Sequence, residues 1–187
     1  MTETTIEYSN AATLLNYLEA DGRISIKAPI EVDRIAFALG IEVHDDYSLS
    51  PETVGIICFN GDHATVKINP IQNIYFARRR FTLAHEIGHF CLHRDKSLKG
   101  FSDSEQTMSR TQSYWNPVES EANNFAAQLL MPKSLIMAEG QQVIDDYTHV
   151  YQMDTIPLSD FVELMADRFG VSNKAMEYRL RNLSIIK

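Results

Sequence analysis

Cysteine and positive charge are both scarce in this sequence. The chain has 187 residues and two cysteines, Cys58 and Cys91, each within an apolar run. A secreted scaffold built on disulfides is therefore not expected, and we interpret both cysteines as buried free thiols, although spacing alone leaves a disulfide between them open. The 17 Lys and Arg residues face 25 Asp and Glu, and the formal net charge of −8 argues against a broad nucleic-acid or membrane surface.

Targeting and membrane-spanning signals are missing as well. Residues 1–5 are polar and lack the basic and apolar regions of a signal peptide. No apolar run approaches the ~20 residues that cross a bilayer, and the sequence has no internal repeat or low-complexity tract. A hydrophobic fraction of 44% is ordinary for a globular domain with a core. We therefore expect a cytoplasmic protein that forms one domain across residues 1–187.

The periodicity of the sequence predicts helices mixed with a few strands. Apolar spacing, caps and breakers predict helices over residues 10–20, 28–40, 117–131, 134–138, 158–169 and 172–183. Strands are expected over residues 41–44, 53–59 and 64–69, the last two joined by a turn at Asn60-Gly61-Asp62. Another helix begins between Tyr75 and Phe81, and the polar residues 95–116 are expected to form a loop. This order predicts an α+β fold.

The most informative segment is residues 80–93, which contains His85, Glu86 and His89 in the pattern His-Glu-x-x-His. At about 100° per residue the two histidines lie about 40° apart on a helix and can reach one metal ion. Zn²⁺ accepts histidine nitrogen, and a catalytic site needs a third protein ligand and an open position. Glu86 points to the edge of the same stripe, where it would accept a proton from water activated by the metal. A chance motif, with the histidines as ordinary polar residues, is the alternative.

Two glutamates of the next predicted helix compete for the third ligand position. On the helical wheel Glu119 lies with Asn123 and small residues, whereas Glu121 lies on the side expected to face solvent. Glu119 is therefore the candidate ligand, and Asn123, one turn on, is a candidate for holding a ligand in place. Asn116, Pro117 and Glu119 also fit a capping box, which is the structural alternative for Glu119.

Residues 80–89 and 119–132 together resemble the ImmA/IrrE family of metallopeptidases, and the resemblance extends over roughly residues 30–183. It implies a gluzincin-like domain, in which helices pack a small twisted sheet and zinc is held by two motif histidines and a glutamate. By motif position it implies His85, His89 and Glu119 as zinc ligands and Glu86 as the catalytic base. Family members cleave helix-turn-helix repressors and so relieve repression, often in mobile elements or stress responses. A repressor is therefore the expected substrate, and the domain core is expected at about residues 28–140.

Two further side chains are candidates for stabilising the oxyanion of the transition state. His93 lies one turn past His89, and Tyr114 lies in the polar loop that would cover the site. Both also have ordinary structural explanations, and the sequence does not decide between them. The strand at residues 64–69 is a candidate for pairing with an extended substrate.

Residues 157–187 are predicted to form a helical pair that resembles a helix-turn-helix. Lys174, Arg179 and Arg181 give its second helix some positive charge, so a DNA- or repressor-binding regulator without turnover is the alternative function. Direct DNA binding is not expected, because the whole chain is acidic and this basic cluster is small. No feature of the sequence encodes the oligomeric state.

Overall fold

The computed structural model describes residues 8–94, 101–104 and 116–187. Its helices are α1 (Ala11–Ala20), α2 (Val32–Ala38), α3 (Phe76–His93), α4 (Pro117–Leu130), α5 (Lys133–Tyr151), α6 (Leu158–Phe169) and α7 (Asn173–Asn182). Its strands are β1 (Ile41–Asp45), β2 (Thr53–Asn60), β3 (His63–Ile68) and β4 (Phe101–Ser104). The predicted α+β class is confirmed. None of the described helices has the length and apolar composition needed to cross a membrane.

The sheet has the strand order β1-β3-β2-β4, with β1 parallel to β3 and the other neighbours antiparallel. β2 and β3 form the predicted hairpin, and Gly61 at its turn has a φ of +59°, a conformation that favours glycine. β3 is hydrogen-bonded on both sides, so the expectation that residues 64–69 pair with substrate is wrong. β4 forms where a loop was expected, because it pairs with the outer edge of β2.

Local sequence signals account for several helix ends. The Asn10 side chain accepts a hydrogen bond from the Thr13 backbone N–H at 2.9 Å and caps α1. Gly170, with a φ of +62°, ends α6. The Ser172 hydroxyl then accepts a hydrogen bond from the Ala175 backbone N–H at 3.2 Å and starts α7. The predicted pair of carboxy-terminal helices is therefore present.

Two helix predictions need correction. The helix expected over residues 28–40 is limited to α2, and the short helix expected at residues 134–138 continues through the supposed connector as α5. Gly140 of α5 packs against Phe161 of α6, which extends the buried face beyond the predicted end. On the exposed side, Gln141 and Gln142 each donate a hydrogen bond to an aspartate four residues on, which supports the helix.

Helix α3 lies at the centre of the fold, buried on all sides over residues 82–89. A Cβ added at Gly88 would lie 3.2 Å from both the Cα atom and the carbonyl oxygen of Ala122, so this glycine lets α3 and α4 approach closely. The Arg80 guanidinium donates hydrogen bonds to the carbonyls of Gly170 at 3.1 Å and Phe169 at 3.3 Å. These hydrogen bonds connect the helix that carries the motif to the carboxy-terminal helices. The extent of the domain, residues 1–187 with a core at about 28–140, remains a prediction.

The two cysteines are free thiols, as predicted, but they are partly rather than fully buried. Cys58 lies on β2 and Cys91 on α3. Burial raises the pKa of the Cys91 thiol above its usual value, so this thiol is poorly suited to act as a nucleophile.

Candidate metal centre

Side chains from α3 and α4 meet at one buried point. His85 and His89 are fully buried on α3, one turn apart, and their Nε2 atoms lie 3.0 Å from each other. Glu119 of α4 places Oε2 3.3 Å from His85 Nε2 and Oε1 3.7 Å from His89 Nε2. One ligand atom from each of the three residues lies within 4.8 Å of the others, so the group could hold a metal ion.

The structure separates the two explanations that the sequence offers for Glu119. Asn116 caps α4 by accepting a hydrogen bond from the Val118 backbone N–H at 3.1 Å, and Pro117 occupies the first turn. Glu119 does not point back to this cap. Its carboxylate instead turns inward, is only 6% exposed and faces the two histidines. The capping signal sets the start of α4, and that start places Glu119 at the histidine cluster.

Asn123 supports the first histidine from the side away from the cluster. Its Oδ1 lies 3.0 Å from His85 Nδ1, and both residues are buried. Because an amide oxygen only accepts, the proton lies on Nδ1, and the neutral ring then carries a lone pair on Nε2. That lone pair faces His89 and Glu119, which is the orientation that a metal ligand requires.

His93 and Glu121 lie behind the second histidine. The Nδ1 atoms of His89 and His93 are 3.0 Å apart, and His93 Nε2 lies 2.9 Å from Glu121 Oε2. The Phe101 ring of β4 stacks on the His89 ring, with centroids 4.3 Å apart and planes 13° from parallel. His93 therefore contacts the side of His89 that points away from His85 and Glu119.

Glu86 is fully buried beside the cluster, against the sheet. A Cβ added at Gly55 of β2 would overlap the Glu86 Oε1 atom and lie 2.7 Å from Thr82 Cγ2. The Thr82 hydroxyl donates to Asn73 Oδ1 at 2.6 Å. Asn73 in turn donates to the carbonyls of Val54 and Asn69, each at 2.8 Å. A hydrogen-bonded network therefore fixes the wall on which the Glu86 carboxylate rests.

The chemistry of this donor set fits a cation. The Nε2 atoms of His85 and His89 and the carboxylate of Glu119 face one another in a buried space. Negative charge without a neutralising partner is costly there. Burial raises the pKa of Glu119, whereas hydrogen bonds from His85 and His89 and positive charge on their rings would lower it by more, so that the net shift in the metal-free site is downward. With both Nε2 atoms carrying lone pairs, a bound cation would supply that positive charge instead. A carboxylate that ligates a metal ion is ionised, and a cation at this point would neutralise the buried charge of Glu119.

Several residues at the site were not identified from sequence. Gly55 and Phe101 lie outside the motif, on two strands of the sheet. Glu121 is on the solvent face, as predicted, but the sequence did not indicate that its carboxylate, 53% exposed, reaches His93. The one available signal was the His-x-x-x-His spacing from His89 to His93, which places both rings on one face. Tyr114 lies outside the residues that the structure describes.

Comparison with family models matches residues 76–181 to the IrrE N-terminal-like domain of peptidase M78. The matched segment makes up more than half of the chain and includes both α3 and α4. Comparison with curated proteins gives no significant match.

Proposed function

The chain belongs to the ImmA/IrrE family of metallopeptidases, and from this premise we propose that it is a zinc-dependent endopeptidase of the cytoplasm. Its proposed substrate is a helix-turn-helix transcriptional repressor, whose cleavage relieves repression in a mobile element or a stress response. The observation that carries the peptidase proposal is the convergence of His85, His89 and Glu119 beside the buried Glu86.

The spacing of the three candidate ligands supports zinc. Bonds of about 2.0–2.1 Å in a tetrahedron place neighbouring ligand atoms about 3.3 Å apart. The distances among His85 Nε2, His89 Nε2 and Glu119 oxygens are 3.0, 3.3 and 3.7 Å. Two histidines and one carboxylate also leave a coordination position open for water or substrate, as catalytic zinc sites do. When bound there, Zn²⁺ would act as a Lewis acid that activates water and polarises a peptide carbonyl.

The proposed catalytic base is Glu86. Its carboxylate follows directly after His85 in the chain but rests on the β2 side of α3, at Gly55, so it is not one of the three converging ligands. From this position a Glu86 oxygen accepts a proton from the attacking water and delivers a proton to the leaving amine nitrogen. Asn123 holds His85 in place during both steps.

The structure gives less support to either candidate for stabilising the oxyanion, His93 or Tyr114. His93 lies behind His89, and its Nε2 is engaged by Glu121, so its position favours a supporting role over contact with substrate. Tyr114 stays a candidate that falls outside the described residues. Among the described residues β4 is an edge strand of the sheet, next to His89, and its backbone is therefore a candidate for pairing with an extended substrate.

The alternative function, DNA binding by the carboxy-terminal helices, has less support. Of the three basic residues on α7, Arg179 is buried and donates from Nε to the Met131 carbonyl at 3.0 Å. Arg181 pairs with Glu177 at 2.8 Å. This leaves Lys174 as the exposed cation of the three without a carboxylate partner in the described part of the chain. A gel-shift assay at two salt concentrations tests this alternative, because phosphate contacts would make binding strongly salt-dependent.

The peptidase proposal is tested by incubating the protein with a purified repressor encoded beside it and identifying fragments by mass spectrometry. We expect cleavage at a defined bond that stops when a chelator is added and returns with zinc. The Glu86→Gln variant should keep its zinc and lose about 10²–10⁴-fold in rate, because the general base is gone. Repressor binding without fragments in the zinc-loaded protein would instead favour the regulator without turnover.

A further inference from the structure

We propose that His93 and Glu121 form a positioning pair for His89, in which Glu121 orients His93 and His93 orients the His89 ring. The proposal concerns how the candidate metal centre is held, and it rests on the proposed metal role of His89. Neither residue is a proposed ligand. Both act through His89, so they are positioning rather than catalytic residues.

The three side chains form one continuous hydrogen-bonded chain. Glu121 Oε2 lies 2.9 Å from His93 Nε2, and His93 Nδ1 lies 3.0 Å from His89 Nδ1. The His93 side chain is fully buried, whereas the Glu121 side chain is 53% exposed. The pair therefore runs from the protein surface to the back of a candidate metal ligand.

The Glu121 carboxylate at the end of this chain determines which nitrogen donates and which accepts in each hydrogen bond. An ionised carboxylate only accepts hydrogen bonds, so the contact with Glu121 places a proton on His93 Nε2. In the neutral ring, His93 Nδ1 is then an acceptor, and the proton shared with His89 lies on His89 Nδ1. The His89 Nε2 atom is left with a lone pair, and it faces His85 and Glu119.

The His89 ring is also fixed in angle. Phe101 stacks on its face with a centroid distance of 4.3 Å, and His93 contacts its Nδ1 edge. These two contacts restrict both rotation of the ring and the choice of tautomer. His85 is held differently, because the neutral amide of Asn123 reaches its Nδ1 directly. In the described part of the chain, Asn123 supports His85 and the His93–Glu121 pair supports His89.

Helix α4 supplies the support as well as the third ligand. Glu119 faces the rings from within the core, and Glu121, two residues on, reaches His93 at the edge of the same interface. The close approach of α3 and α4 at Gly88 brings both carboxylates within reach. The helical wheel placed Glu121 on the solvent face, and the residue is exposed. Its side chain extends along the surface to His93 of the neighbouring helix.

The tautomer is measured directly on the metal-free protein by long-range ¹H–¹⁵N NMR of the histidine rings. We expect the wild-type protein to show His89 protonated at Nδ1 and His93 protonated at Nε2. In the Glu121→Ala variant we expect mixed tautomers for both rings. His89 protonated at Nε2 in the wild-type protein would overturn the proposal, whatever the activity of the enzyme.

Metal affinity provides the second readout, measured by competition with a zinc-binding indicator. The His93→Leu variant, which cannot accept a hydrogen bond from His89, should bind zinc about 10–100-fold more weakly. His93→Asn keeps an acceptor near the position of Nδ1 and should recover most of the lost affinity. Because Glu121 is half exposed, the Glu121→Ala variant should fold normally, and its zinc affinity should fall about tenfold. Glu163 is an exposed glutamate of α6, so Glu163→Ala is the matched control and should leave the zinc affinity unchanged.

A double variant separates positioning from a general effect on stability. Because Glu121 is proposed to act through His93, adding Glu121→Ala to His93→Leu should cause no further loss of zinc affinity. Full additivity of the two losses would contradict the proposal, as would unchanged affinity in Glu121→Ala. If the wild-type protein binds no zinc, the proposed peptidase function fails, and the NMR measurement still decides whether the pair orients His89.

Discussion

Gly55 of β2 lies against the carboxylate of Glu86, with no room for a methyl group between strand and side chain. The two residues are distant in the sequence, and the packing of α3 on β2 brings them together. The absence of a side chain at Gly55 therefore creates the space that the proposed base occupies.

Gly55→Ala should impair catalysis without removing the metal. The new Cβ would overlap Glu86 Oε1 and approach Thr82 Cγ2, so the carboxylate must shift. A displacement of about 1 Å can cost about 10²-fold in rate, and we expect a loss of that order in peptidase turnover. Zinc affinity should change little, because the atoms nearest to the added Cβ belong to Glu86 and Thr82 and not to the three proposed ligands.

The matched control for Gly55→Ala is Gly140→Ala in α5, where the added Cβ would meet Phe161 at an ordinary 3.4 Å. This control should retain full activity and be as stable as the wild-type protein or slightly more so. Normal turnover in a correctly folded Gly55→Ala variant would contradict the placement of Glu86.

Zinc should stabilise the fold, since the proposed ligands come from two separate helices. At a free zinc concentration of about 100 times the dissociation constant, binding adds about 2.7 kcal/mol to the free energy of unfolding. Denaturant unfolding with zinc and with a chelator measures this difference. Glu119→Ala should abolish most of it, whereas substitution of the exposed His63 by alanine should not. Equal zinc stabilisation in Glu119→Ala would refute its assignment as the third ligand.

Asn123→Ala should weaken metal binding although Asn123 is not a proposed ligand. The substitution removes the acceptor for His85 Nδ1–H and frees the ring to rotate or change tautomer. Losses of this kind amount to about 10–100-fold in metal affinity. The neighbouring Asn124 is exposed on the same helix, so Asn124→Ala is the control and should bind zinc normally. Indicator competition compares the two variants.

Arg80→Met should destabilise the protein without touching the metal centre. Arg80 is nearly buried, donates to the carbonyls of Phe169 and Gly170, and lies 5.3 Å from the centre of the Phe76 ring. Methionine keeps much of the apolar stem but leaves two carbonyls without their charged donor. We expect a loss of about 2–3 kcal/mol in the free energy of unfolding.

Denaturant titration of Arg80→Met alongside Lys133→Met, an exposed position at the start of α5, measures this loss. A difference of less than about 0.5 kcal/mol, the ordinary scale of surface substitutions, would show that the link between α3 and the α6–α7 turn is not important for stability.

The sequence by itself determined those features that depend on neighbours along the chain. The spacing of His85 and His89 places both rings on one face of any helix that contains them. Asn116 and Pro117 set the start of α4, and Gly61 sets the turn between β2 and β3. Each of these features depends on local geometry, so periodicity and turn chemistry were sufficient to predict it.

The tertiary structure decided how those elements meet. Glu119 was one of two candidates with a capping alternative, and only the packing of α4 on α3 turns its carboxylate to the histidines. The same packing brings Glu121 to His93, and the sheet brings Gly55 to Glu86. Contacts of this kind depend on where separate segments lie in space, and periodicity within one segment carries no information about that.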